Sequence, residues 1–252
     1  MSVTRIEIPT ADGIAEAFLA RPDASPDATH LPGVLFYMDA FGLRPQIRTM
    51  IQRIADWGYV VLAPNVFHRS GSIEDIAPKN DLHVAENREA AFRAITPMLA
   101  AHTSEQAATD ADAYLATLTA LTGGAISTTG YCMGGRLALR AAARHPELVQ
   151  SVGMFHVGGL VTDADDSPHL SIPNVRARVL AGYADHDRSM PPEAIATVDE
   201  QLTASGVAFD TSIRPGAPHG YTMADTSSCE SPPPSGTSRA CASGWPDETS
   251  PA

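Results

Sequence analysis

"AISTTGYCMGGRLAL", residues 125–139, opens as an apolar strand with β-branched residues and closes with the period of a helix. Between the two lies Gly-Tyr-Cys-Met-Gly-Gly, with Gly130, Cys132 and Gly134 in Gly-x-Cys-x-Gly spacing. A strand that ends in Gly-x-nucleophile-x-Gly and feeds a helix is a nucleophile elbow. The turn is too tight for side chains beside it, so glycines flank a residue held in a strained backbone conformation. The start of the helix sets unpaired N–H groups and a positive potential by the sulfur. That favours a thiolate, and also an oxyanion formed next to it. Over these residues alone, a small buried cysteine in a glycine-rich turn has the same pattern. The surroundings therefore decide.

Upstream, "VTRIEI" (3–8) and "IAEAFLA" (14–20) alternate apolar and polar residues, which predicts an opening pair of strands. "GVLFYM" (33–38) and "YVVLAPN" (59–65) are continuous apolar runs, as strands buried on both faces must be. Between them, "PQIRTMIQRIADWG" (45–58) puts Ile47, Met50, Ile51 and Ile54 on one helical face and stops at Gly58. Residues 84–122 read as largely helical, with breaks at Pro97 and at "HTSEQ". Downstream, strands at 149–155, 176–182 and 207–213 alternate with helices at 135–145 and 191–205. This alternation predicts one α/β domain over residues 1–225, a mostly parallel central sheet with helices on both faces.

An elbow nucleophile needs a base, and the base needs an orienting carboxylate, in the chain order nucleophile, acid, histidine. "ARVLAGYADHD" (177–187) is a buried strand ending in Asp185 and Asp187. "FDTSIRPGAPHGYT" (209–222) is a strand followed by a turn carrying His219. Both ends lie where ligands bind in open α/β sheets, just past the strand C-termini. Either aspartate fits the orienting role on this reading. The other histidines, His30, His68, His83, His102, His145, His156, His169 and His186, lack this context.

Composition narrows the function. The 252 residues carry a formal charge of −12 with no basic stripe, so neither nucleic acid nor an anionic membrane is an expected partner. No apolar run reaches membrane-span length, and "MSVTRIEIPTADG" lacks the regions of a signal peptide, so a cytoplasmic location is expected. Cys132, Cys229 and Cys241 make a poor disulfide framework. No His/Cys/Asp cluster has metal-ligand spacing, and "GYCMGG" lacks the features of a phosphate or dinucleotide loop, so no metal and no cofactor is expected.

From about residue 3 to residue 225 the chain resembles the dienelactone hydrolase family of α/β-hydrolases. The matching pieces are "YMDAFGL", "YVVLAPNVFHRSG", "GYCMGGRLAL", "AGYAD" and "PGAPHGYTMAD". Cysteine at the elbow is specific, because most α/β-hydrolases use serine there. The resemblance implies an α/β-hydrolase fold, with Cys132 as nucleophile, His219 as base and Asp185 as orienter. It implies the N–H groups of Met133 and Ala40 as oxyanion donors. It also implies a thiol-activating carboxylate at Asp39, where the family usually has the longer glutamate. The family's arginine after the catalytic histidine is missing here; the stretch is "YTMAD", with Met223. Arg69, Arg88 and Arg93 are the candidates to replace it, and dienelactone itself is not the expected substrate.

The expected function is a cysteine-dependent hydrolase of small carboxylic esters or lactones, acting through a thioester as a monomer or small homo-oligomer. The alternatives are a non-catalytic binding protein of the same fold and an acyltransferase using the same site. The tail, 226–252, is rich in Ser, Pro, Gly and Thr and has no periodicity. It reads either as a disordered tail or as a frameshifted replacement of the final helix, since one GC-rich choice of codons gives an amphipathic helix in another frame. Nucleotide sequence separates the two.

Overall fold

The computed structural model describes residues 3–22 and 30–229. Eight strands form one sheet in the order β1-β2-β4-β3-β5-β6-β7-β8. They are β1 (Thr4–Thr10), β2 (Gly13–Ala20), β3 (Gly33–Tyr37), β4 (Val60–Pro64), β5 (Ile126–Tyr131), β6 (Val149–Phe155), β7 (Arg178–His186) and β8 (Phe209–Pro218). The β1–β2 and β2–β4 pairs are antiparallel, and the remaining pairs are parallel. Every residue of β3 and β4 is buried, which is why those segments read as unbroken apolar runs.

Helix α1 (Pro45–Asp56) buries Ile47, Met50, Ile51 and Ile54 and packs on β2 and β4. Helix α4 (Ser104–Leu121) packs on β1, β3 and β4, and α5 (Met133–Arg144) packs on β3, β5 and β6. A short helix α2 (Ile73–Ile76) precedes α3 (Ala85–Ala101), and α6 (Pro192–Ala204) lies between β7 and β8 in the chain. The α3–α4 break falls at "HTSEQ" as expected, where Thr103 and Gln106 form a capping box. The break expected at Pro97 does not occur, and α3 runs through it. Pro97 and Arg93 are both exposed, so the Arg93 carbonyl that loses its helical donor faces water.

The last two strands are longer than their apolar pattern. β7 and β8 pair from Val179↔Phe209 to Ala184↔Arg214, then shift register so that His186 faces Pro218. The shift inserts extra β8 residues around Gly216, whose φ of 74° suits a residue without a side chain. It brings the residues following His186 and Pro218, namely Asp187 and His219, side by side. The family's final-helix region and the tail from 230 lie outside the described residues. The tail's first residues do not match the expectation of a structureless segment. Thr226 is 4% exposed, its N–H and Oγ1 both bond the Met223 carbonyl, and the Cys229 N–H bonds the Thr226 carbonyl. Among the described residues, no helix is long and apolar enough to cross a membrane.

Candidate active site

The elbow forms because the backbone leaves no room for anything else. Gly130 and Gly134 face each other so closely that a Cβ on Gly130 would run into the Gly134 carbonyl. A Cβ on Gly134 would run into the Tyr37 and Met38 carbonyls at the end of β3. Cys132 sits between them at φ 54° and ψ −121°, a conformation that L residues adopt only under constraint. The Cys132 N–H holds the Phe155 carbonyl at 3.1 Å, which ties the elbow to β6. Met133 is the first residue of α5, so its N–H has no carbonyl behind it within the helix. Gly134 approaches the end of β3, shortly before Ala40 in the chain, and Ala40 and Cys132 line the same cavity.

His219 meets Cys132 there. Its Nδ1 lies 2.6 Å from Asp187 Oδ2, and the ring lines the same cavity as Cys132, close enough for the sulfur to act on its charge. Burial works to lower the His219 pKa, but the hydrogen bond to Asp187, with the influence of Cys132, outweighs it and pushes it up to about 10. Asp187 is 8% exposed, and its other oxygen accepts from Ser189 N–H at 2.9 Å and Ser189 Oγ at 2.5 Å. Burial pushes this carboxyl up, yet bonds from His219 and Ser189 hold it below the ordinary carboxylate range.

The orienting contact therefore belongs to Asp187 and not to Asp185, the residue implied by resemblance. Asp185 is exposed, and its Oδ2 accepts the Gly216 N–H at 2.9 Å. It braces the irregular stretch of β8 that delivers His219 to Asp187. Asp187→Asn is expected to lower kcat by about 10³–10⁴-fold, through a wrongly held imidazole, against less than about tenfold for Asp185→Asn. Steady-state kinetics on one ester checks this, and equal losses would refute the assignment.

Asp39 also differs from expectation. Its carboxylate lines the cavity but does not hydrogen-bond the sulfur. Arg44 holds it through Nη1–Oδ1 at 2.5 Å and Nη2–Oδ2 at 2.9 Å, and Phe41 N–H adds a bond at 3.2 Å. The same guanidinium bonds Asp225 at 2.6 and 3.1 Å, so it ties the loop after β3 to the segment beyond His219. One methylene shorter than glutamate, and neutralised by a buried arginine, Asp39 stays on Arg44.

The cavity has a volume of about 440 Å³. Phe41 and Met223 line it, and α3 contributes Arg88, Phe92 and Arg93. Arg69, the third candidate for an anion clamp, lies elsewhere, bonded to Asp12 and Asp110. Asp12, His68 and Asp110 bring ligand atoms within 4.8 Å of one another, a grouping that spacing in the sequence does not show. Arg69 already bonds both carboxylates, so the trio fits a cation poorly. One histidine without context in the sequence lies close to His219: His156, fully buried, with its ring centroid 5.3 Å from that of His219.

An eight-stranded, mostly parallel sheet with an elbow after β5, an acid after β7 and a histidine after β8 defines an α/β-hydrolase. Comparison with known proteins sharpens this. The model of the dienelactone hydrolase family matches residues 15–247, and the chain belongs to that family. It is an enzyme of the carboxylic ester and lactone hydrolase class. A Salmonella typhi protein provisionally named a carboxymethylenebutenolidase is 29% identical over 221 residues, covering 85% of this chain and 76% of the relative. An Escherichia coli K12 protein of the same provisional name is 28% identical, covering 85% and 75%. In fold, the chain matches a crystal structure from Klebsiella pneumoniae provisionally described as a dienelactone hydrolase. The TM-score is 0.75 at 24% identity, covering 90% of each chain.

Proposed function

We propose that the chain hydrolyses small carboxylic esters or lactones through a thioester on Cys132. The observation that carries this is the meeting in one cavity of Cys132, strained at the elbow, and a His219 imidazole fastened to Asp187. The sulfur attacks the carbonyl carbon as a thiolate opposite the His219 imidazolium. The carbonyl electron pair moves onto oxygen, where the N–H groups of Met133 and Ala40 receive it. Each such donor is typically worth about 3 kcal/mol. Collapse of the intermediate breaks the C–O bond, and the departing alkoxide takes the proton of His219. Neutral His219 then takes a proton from water as that water attacks the thioester. The acid leaves, and thiolate and imidazolium are restored. A lactone's alcohol stays tethered, so water competes with reclosure. The cavity of about 440 Å³ suits a small substrate.

The test is a panel of small aryl esters, enol esters and lactones, with the hydroxide background measured on Cys132→Ala at each pH. His219 is the proton donor, so kcat/KM is expected to fall as pH rises through about 10, where the imidazolium is lost. Absence of turnover on every ester and lactone overturns the proposal.

A further inference from the structure

We infer that His156 is a positioning residue, whose hydrogen bond to Thr222 and whose ring hold the His219 imidazole in line between Cys132 and Asp187. The inference rests on the Cys132–His219 reading above and deepens it.

His156 follows the last residue of β6 and adopts φ 37°, in the left-handed region that costs a residue with a side chain. It is 0% exposed, an expensive place for a polar ring where an apolar side chain would fill space without needing partners. What it does there is specific. Its Nε2 and Thr222 Oγ1 lie 2.7 Å apart, and Thr222, also 0% exposed, stands three residues after His219 on the same loop. The ring meets His219 edge to face, with centroids 5.3 Å apart, and meets Tyr221 the same way at 5.4 Å. Two bonds converge on the Gly182 carbonyl in β7: the His156 backbone N–H at 2.8 Å and Tyr221 OH at 3.2 Å. His156 thus pins the histidine loop to both β6 and β7, behind the imidazole that has to swing least. Besides His156, the groups on His219 are Asp187 and Cys132. Burial, together with the His219 charge, keeps His156 neutral, so it does not take the proton that His219 must deliver.

The test uses the full chain, three single variants at Thr222 and His156, one double variant, and Cys132→Ala as the reference. Thr222→Val keeps the shape and deletes the hydroxyl, whereas Thr222→Ser keeps the hydroxyl. His156→Asn keeps a residue that tolerates positive φ but is too short to reach Thr222. Expected for Thr222→Val and His156→Asn is a fall in kcat of at least about tenfold, with KM within about threefold, because a misheld base costs the transition state and not binding. The falling limb of kcat/KM near pH 10 should shift in both, and Thr222→Ser should restore wild-type kcat and limb. The double variant should be no worse than the weaker single one, as for two ends of one interaction. Cys132→Ala, run alongside, separates the two readings. If it is inactive while Thr222→Val and His156→Asn keep wild-type kcat and limb, the inference is overturned and the nucleophile stands. If it retains full turnover, the underlying reading fails and this one with it. Should Thr222→Val fail to fold, His156→Asn carries the same comparison.

Discussion

Cys132→Ala is expected to lower kcat on a small ester by about 10⁴-fold or more, with the protein still folded. The size follows from the role proposed above for the sulfur, that of the group which forms the thioester. Without it no thioester forms, and His219 and the oxyanion donors are left to assist direct attack by water, worth only the residual part of the acceleration. The cost to folding should be small. Alanine removes one partly buried sulfur that lines the cavity and relieves nothing else at φ 54°, where any side chain is strained. Cys132→Ser gives a second reading of the same site. An alcohol is far harder to ionise than a thiol, so a serine opposite His219 should recover only a small part of the lost rate. Wild-type kcat in Cys132→Ala would remove the cysteine from the reaction.

The largest effect on stability is expected at Arg44. Its guanidinium is 4% exposed and spans Asp39, 5% exposed, and Asp225, 31% exposed. In Arg44→Met, the methionine fills most of the volume, but the Asp39 carboxylate keeps only the Phe41 N–H. An uncompensated buried charge of this kind costs about 3–5 kcal/mol. Set against a net stability of about 5–15 kcal/mol, that is severe. Urea unfolding measures it. Asp39→Asn in the same background removes the stranded charge and should return a large share of the loss. The two substitutions are therefore expected to be strongly non-additive. A loss below about 1 kcal/mol in Arg44→Met would show that the ion pair is solvated and weak.

How far the sequence anticipates the structure depends on what each feature needs. The elbow was legible because its glycines are required locally: the clash of Gly130 with Gly134 is written within five residues. The sheet was legible because fully buried parallel strands must be apolar throughout. The choice between Asp185 and Asp187 was not legible, since it turns on how many β8 residues fall outside the ladder near Gly216. Nothing in the alternation of residues counts a bulge in advance. Asp39 was read by likeness as facing the sulfur. Its partner Arg44 lies five residues on, at the N-cap of α1, and its direction depends on Asp225, far away in the chain. His156 looked like any other histidine, because positive φ at a strand end leaves no pattern and Thr222 lies 66 residues further on. Helix α3 runs on through Pro97, and the exposure of Arg93, whose carbonyl loses its helical donor there, is not marked in the alanine-rich sequence.

The most direct test of the whole account is mass spectrometry of the protein quenched in acid during turnover of a small aryl ester. The result expected is an added mass equal to the acyl group, confined to the peptide that contains Cys132, which decays as substrate runs out. Turnover with no adduct on that peptide, under conditions that preserve a thioester made chemically on the same cysteine, would contradict it.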